Sequence, residues 1–134
     1  MIISIYNQQT EILETEFTKD VTLEEIVNYI ISIKENKTYP RFLKIKTNAT
    51  ISNFAFSIDD IEKIAIETDK LLEKYNLISD AMIVDNPRTT AISMLYQKIT
   101  GKNVKYRFNV FSTDKGASEW LENLSDKTYC QHRI

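Results

Sequence analysis

Residues 81–96 read AMIVDNPRTTAISMLY, and how this stretch divides decides the fold. An apolar run ends at Val84, a polar break follows through Asp85, Asn86, Pro87, Arg88, Thr89 and Thr90, and apolar residues then return. Proline suits the first turn of a helix, where its missing amide hydrogen is not needed and its fixed φ is already helical. The stretch therefore reads as a strand over 80–84, a corner, and a helix opening at Pro87. Ala91, Ile92, Leu95 and Ile99 give that helix an inward face, and Gly101 is expected to end it in a left-handed conformation.

The same strand and helix alternation extends outward in both directions. Ile2 to Tyr6 and Glu11 to Phe17, parted by Asn7, Gln8, Gln9 and Thr10, read as an antiparallel hairpin. Thr22 and Glu25 have the spacing of a capping box, and Leu23, Ile26, Val27, Ile30 and Ile33 follow at helical intervals. Pro40 halts that helix and favours extended backbone before it, so Phe42, Leu43 and Ile45 begin the next strand. A polar and aromatic stretch, TNATISNFAFS, leads to a second helix capped by Ser57, with Asp59 and Asp60 in its first turn. Its inner stripe is Ile58, Ile61, Ala65, Thr68, Leu72 and Tyr75. Downstream, Tyr106, Phe108 and Val110 alternate with Lys105, Arg107 and Asn109 in a last strand. Ala117, Trp120, Leu121 and Leu124 line a final helix, and residues 125–134 have no periodicity and read as a flexible tail.

The order β-β-α-β-α-β-α-β-α predicts an α/β fold: a single mixed, mostly parallel sheet with an N-terminal antiparallel hairpin and about four helices. At 134 residues, 43% of them hydrophobic, the chain suffices for one domain, taken as residues 1–124.

Composition restricts function more than it assigns one. A net charge of −2 with no basic block disfavours a nucleic-acid partner. No stretch is apolar for long enough to span a bilayer, and the N-terminus has no secretory pattern, so a cytoplasmic protein without stable membrane insertion is expected. One cysteine and one histidine exclude a His/Cys metal cluster, and two glycines leave no room for a Walker loop or a dinucleotide-binding turn. No cofactor is expected. A hydrolytic triad would need His132, close to the C-terminus with nothing to fix its position.

The corner is the strongest candidate site. A strand end feeding a helix N-terminus presents free amides, with Arg88 and two hydroxyls beside them. The plainer reading is that Asp85 or Asn86 caps the helix while Thr89 and Thr90 fill its first turn. Ser52, Phe54, Phe56 and Ser57 form a second candidate surface, hydroxyls beside aromatic rings. Phe54 and Phe56 equally suit covering their own core.

With the elements laid out, the chain resembles the STAS-like family, small bacterial domains related to the stage II sporulation anti-sigma-factor antagonist. The hairpin followed by DVTLEEIVNYI, the strand LKIKTNAT with FSIDDIEKIA, the corner DAMIVDNPRTTAISMLYQ, and FNVFSTDKGASEWL carry the resemblance. It implies a single mixed sheet packed by helices and a non-enzymatic, regulatory role through a protein partner. In antagonist-type members a Ser or Thr just before the second helix is phosphorylated. Here that region is Asn48 to Ser57, it lacks the glycine of the usual signature, and Ser57 is the position for such a modification. The resemblance also reaches lipid-carrier domains, which keeps open a carrier or sensor of a small apolar or anionic ligand, or peripheral membrane association. Phe54, Phe56, Met82 and Met94 could then line a cavity. The working site joins Ser52, Phe54, Phe56 and Ser57 with Asp85, Asn86, Arg88, Thr89 and Thr90, which should share one end of the sheet if their strands run parallel. An open edge on the first strand leaves room for a homodimer.

Overall fold

The computed structural model describes residues 1–132, with side chains as far as Leu124. Its elements are β1 (Ile2–Asn7), β2 (Ile12–Thr22), α1 (Leu23–Glu35), β3 (Phe42–Ala55), α2 (Ile61–Leu72, entered through a 3-10 turn at Ile58–Asp60), β4 (Leu77–Ile83), α3 (Pro87–Thr100), β5 (Tyr106–Phe111) and α4 (Asp114–His132). The sheet runs β1-β2-β3-β4-β5, with β1 antiparallel to β2 and the other three pairs parallel. This is the mixed sheet with an N-terminal hairpin that the element order predicts.

Helices α1, α2 and α3 cover one face and α4 the other, so the central strands are buried on both sides. In β4, Ile78 and Met82 pack into the larger core with Leu13, Ile30, Ile45, Leu72 and Phe108. Ala81 and Ile83 point the opposite way, to Ala117 and Leu121 of α4. Alternation along a strand thus becomes a choice between two cores.

Local chemistry fixes the ends of the elements. The Thr22 hydroxyl accepts from the Glu25 amide at 3.2 Å and the Glu25 carboxylate from the Thr22 amide at 3.2 Å, closing the capping box. In the hairpin loop, Asn7 Oδ1 accepts from the amides of Gln9 and Thr10, and Glu11 takes a φ of 58° as the chain turns back.

The structure corrects several sequence expectations. Strand β3 runs on through TNATISNFA, because this polar stretch pairs in parallel with Thr15–Thr22 of β2. A register shift between Glu16 and Thr18 absorbs an extra residue there, and Asn48 Oδ1 accepts from the Thr50 amide beside it. Strand β4 begins at Leu77, three residues earlier than its polar Ser79 and Asp80 suggest. Gly101 ends α3 at φ −64° and ψ −10°, in the right-handed region; the Thr100 carbonyl is satisfied by the Asn103 amide instead. Ala91 and Ile58 face solvent, and Ile64 and Leu71 take inward places on α2. The α4 backbone stays helical through His132, where the absence of periodicity predicts no element; residues 133–134 of the expected tail lie outside the described residues.

Candidate functional site

The corner and the 52–60 segment meet at one end of the sheet. Arg88 joins them: one guanidinium nitrogen donates to the Phe54 carbonyl at 2.7 Å and the other to the Phe56 carbonyl at 3.3 Å. Asn86 caps α3, its side chain accepting from the Thr89 amide at 2.8 Å, and the Thr90 hydroxyl donates to the Asn86 carbonyl at 2.7 Å. Thr89 is fully buried and Asp85 is exposed. On the other segment, Ser52 donates to the Ala49 carbonyl at 2.9 Å. Exposed Ser57 donates to Asp60 Oδ2 through its amide and its hydroxyl, and the amide bond is the main reason the Asp60 carboxyl sits below the usual range. The polar groups of the corner are thus largely engaged within the protein. Arg88→Met keeps the side-chain length and removes the donors. We expect it to destabilise the protein by about 1–2 kcal/mol in urea denaturation, since hydrogen bonds to charged groups are the stronger ones.

Phe54 and Phe56 do not form an exposed edge. Both are buried, stacked with centroids 5.1 Å apart, and Phe17 lies 6.3 Å from Phe54 at a steep angle. Their rings line a partly open cavity of about 80 Å³ between the sheet and the three helices. Its wall takes Tyr29 from α1, Ile61 and Ile64 from α2, Ile92, Ser93 and Tyr96 from α3, and Thr47, Asp80, Met82 and Phe108 from the sheet. Of the two methionines considered for such a wall, Met82 lines the cavity and Met94 is 55% exposed.

Asp80 is the unexpected member. Strand β4 turns its side chain toward the cavity, where Oδ2 accepts from the Tyr106 hydroxyl at 2.7 Å. Oδ1 is closed off from solvent and has no hydrogen-bond partner, although Asp80 as a whole residue keeps partial exposure. A buried polar atom without a partner is costly and rare, and such an atom calls for an explanation.

The tyrosines behind Asp80 form a directed chain. Tyr106 gives its hydrogen to Asp80, Tyr96 gives its own to the Tyr106 oxygen at 3.0 Å, and Thr68 lies 2.7 Å from Tyr96. Thr68 donates its hydrogen to the Ile64 carbonyl at 3.0 Å, so the Thr68–Tyr96 pair shares a hydrogen with one of its neighbouring bonds. Tyr29 stands apart, 2.6 Å from the Thr15 hydroxyl. Burial pushes the Asp80 carboxyl up to about 7, and the Tyr106 hydroxyl opposes that rise. Burial also pushes all three phenols upward, and the Asp80 charge adds to the effect on each. One carboxyl therefore titrates near neutrality in a mostly apolar chamber while its phenol neighbours stay neutral.

Sequence reasoning missed Asp80, Tyr96, Tyr106 and Thr68. For Asp80 a signal existed: a strand buried on both faces reads as a continuous apolar run, and LISDAMIV carries an acid in its middle. For the hydroxyl chain no local signal existed, since its members come from α2, α3 and β5.

No family profile matches the chain, and no curated protein matches it. Among solved structures it is similar to an uncharacterised protein of the DUF3478 family with a SpoIIAA-like fold, from Shewanella loihica PV-4. The two share 15% identity with a TM-score of 0.57, over 90% of this chain and 92% of the other. Among the described residues, no helix is long and apolar enough to cross a membrane. At this identity the likeness extends to architecture alone, and the chain has the SpoIIAA-like, STAS-like fold that the resemblance implies.

Proposed function

We propose that this protein is a non-catalytic binding module that holds a small, mostly apolar ligand in the cavity under α1, α2 and α3. The observation that carries the reading is the partnerless Oδ1 of Asp80 in an apolar chamber of about 80 Å³. Ligand pockets combine apolar walls with a few convergent polar groups, and a bound molecule would give this oxygen its missing partner. A catalytic reading fits less well. Among the described residues Asp80 is the one carboxylate in the wall, and the neighbouring phenols are pushed away from neutrality, so none of these groups is poised to trade protons with it.

The volume sets the scale of the ligand. At ~25 Å³ per heavy atom, the proportion of a benzene-sized cavity, it takes about three or four heavy atoms, far fewer than a lipid chain. The test is equilibrium titration of the full chain with xenon, followed by amide chemical shifts, with Ser93→Leu as a variant that fills the cavity. A saturable site present in wild type and lost in the variant would support the reading. No saturable site in wild type, or equal binding by both, would contradict it.

A regulatory role through protein contacts is the second reading, favoured by Ile58, 63% exposed immediately after Ser57. A phosphate on Ser57 would meet the carboxylate of Asp60, to which that hydroxyl already donates, so modification would open the turn by repulsion. A Ser57→Glu protein that captures its partners as wild type does would count against control at this position.

A further inference from the structure

The buried wall of the cavity offers hydrogen-bond acceptors in excess of donors. The hydrogens of Tyr96 and Tyr106 run toward Asp80 Oδ2, which leaves neither for Oδ1. The Ser93 hydroxyl donates to the Met82 sulfur at 3.4 Å, so its oxygen lone pairs face no donor of that chain. Among the described residues, no Lys, Arg or His lines the cavity, and none of them gives Asp80 a counterion there. The complement of such a site is a positive group with several N–H donors on a compact apolar body.

Resting on the binding reading above, we infer that the cavity recognises a small aliphatic primary amine, its ammonium held by Asp80 Oδ1 with Ser93 Oγ as a second acceptor and its carbon chain against Ile92, Phe54 and Phe108. An alcohol would supply a single hydrogen and no charge, and a carboxylate would meet Asp80 with like charge. Burying an ammonium is unfavourable unless it is paired and hydrogen-bonded, and this wall supplies both kinds of partner.

Charge pairing makes the binding depend on pH. The groups that face Asp80 are Tyr106 of β5, Tyr29 of α1, Tyr96 of α3 and Thr47 of β3, with Thr68 of α2 behind them, and all are neutral near pH 7. The amine keeps its proton throughout this range, so Asp80 alone sets the profile. Affinity rises about tenfold per pH unit from pH 5 toward 7, with one proton released from Asp80 per amine bound, and levels off above.

The test uses n-propylamine, n-propanol and propionate on the full chain, followed by amide chemical shifts at pH 5, 6, 7 and 8. So small a ligand binds weakly, so a millimolar dissociation constant is expected for propylamine. Supporting results are tighter binding of propylamine than of the other two, the stated pH rise, and at least a tenfold loss in Asp80→Asn, with Ser93→Leu also blocking entry. Equal binding of propanol, or unchanged amine binding by a folded Asp80→Asn, overturns the amine inference and leaves the cavity as a binding site for something else. If none of the three binds and xenon finds no saturable site either, the amine inference and the binding reading fall together.

Discussion

Phe54→Ala is expected to destabilise the protein by about 3–5 kcal/mol, the range for truncating a well-packed buried aromatic, read as a lowered urea midpoint with little change in slope. The ring is 4% exposed and lies between Phe56, stacked at 5.1 Å, and Phe17, edge-on at 6.3 Å. Removing it deletes apolar burial and leaves a void that joins the existing chamber, and the strap from Arg88 to the Phe54 carbonyl hinders the backbone from collapsing into the space. A loss below about 1 kcal/mol would mean that the segment relaxes freely and that the cavity wall is not rigidly built.

Asp80→Asn is expected to stabilise the protein, with a gain that depends on pH. The folded carboxyl stays protonated to about 7, whereas in the unfolded chain it ionises near its ordinary value of 3.8. Between these values the native state binds the extra proton, so this group lowers stability as pH rises from about 4 to 7 and adds no further change above. At 1.36 kcal/mol per pH unit the penalty approaches roughly 4 kcal/mol above pH 7, an upper bound because relaxation reduces it. Asparagine keeps an oxygen that accepts from Tyr106 and carries no charge. Urea denaturation should therefore show Asp80→Asn more stable than wild type by about 2–4 kcal/mol at pH 8 and nearly equal to it at pH 4. A variant less stable at pH 8 would show that the carboxylate is well solvated or paired in the fold.

These two predictions also mark where the sequence could be read and where it could not. Short-range chemistry was legible: Thr22 with Glu25, Asn86 followed by Pro87, and the alternation of Tyr106, Phe108 and Val110 each state their structure within a few residues. Strand β3 was harder, because TNATISN is polar and becomes a strand through its pairing with β2 rather than through its own pattern. The two segments were placed at one end of the sheet from their parallel strands, although Ser52 and Phe54 lie within β3 rather than after it, and nothing local says that Arg88 would direct its guanidinium to the Phe54 and Phe56 carbonyls. The cavity lay furthest from view. Asp80 and Tyr106 are 26 residues apart and Thr68 and Tyr96 are 28 apart, so their meeting is a product of three packed helices on one sheet.

Parallel pairing buries β4 on both faces, burial places Asp80 where water does not reach Oδ1, and the tyrosine chain satisfies the other oxygen alone. A carboxyl held in this way lowers the stability of the empty protein at neutral pH, and a positively charged ligand would remove that cost on binding.

The most direct measurement is the titration of the Asp80 side-chain carboxyl carbon by NMR in the ligand-free protein. A midpoint close to 7 is expected, raised by burial of the carboxyl. A midpoint near 4 would show a carboxylate in contact with bulk water, and would contradict the buried carboxyl on which the proposed binding rests.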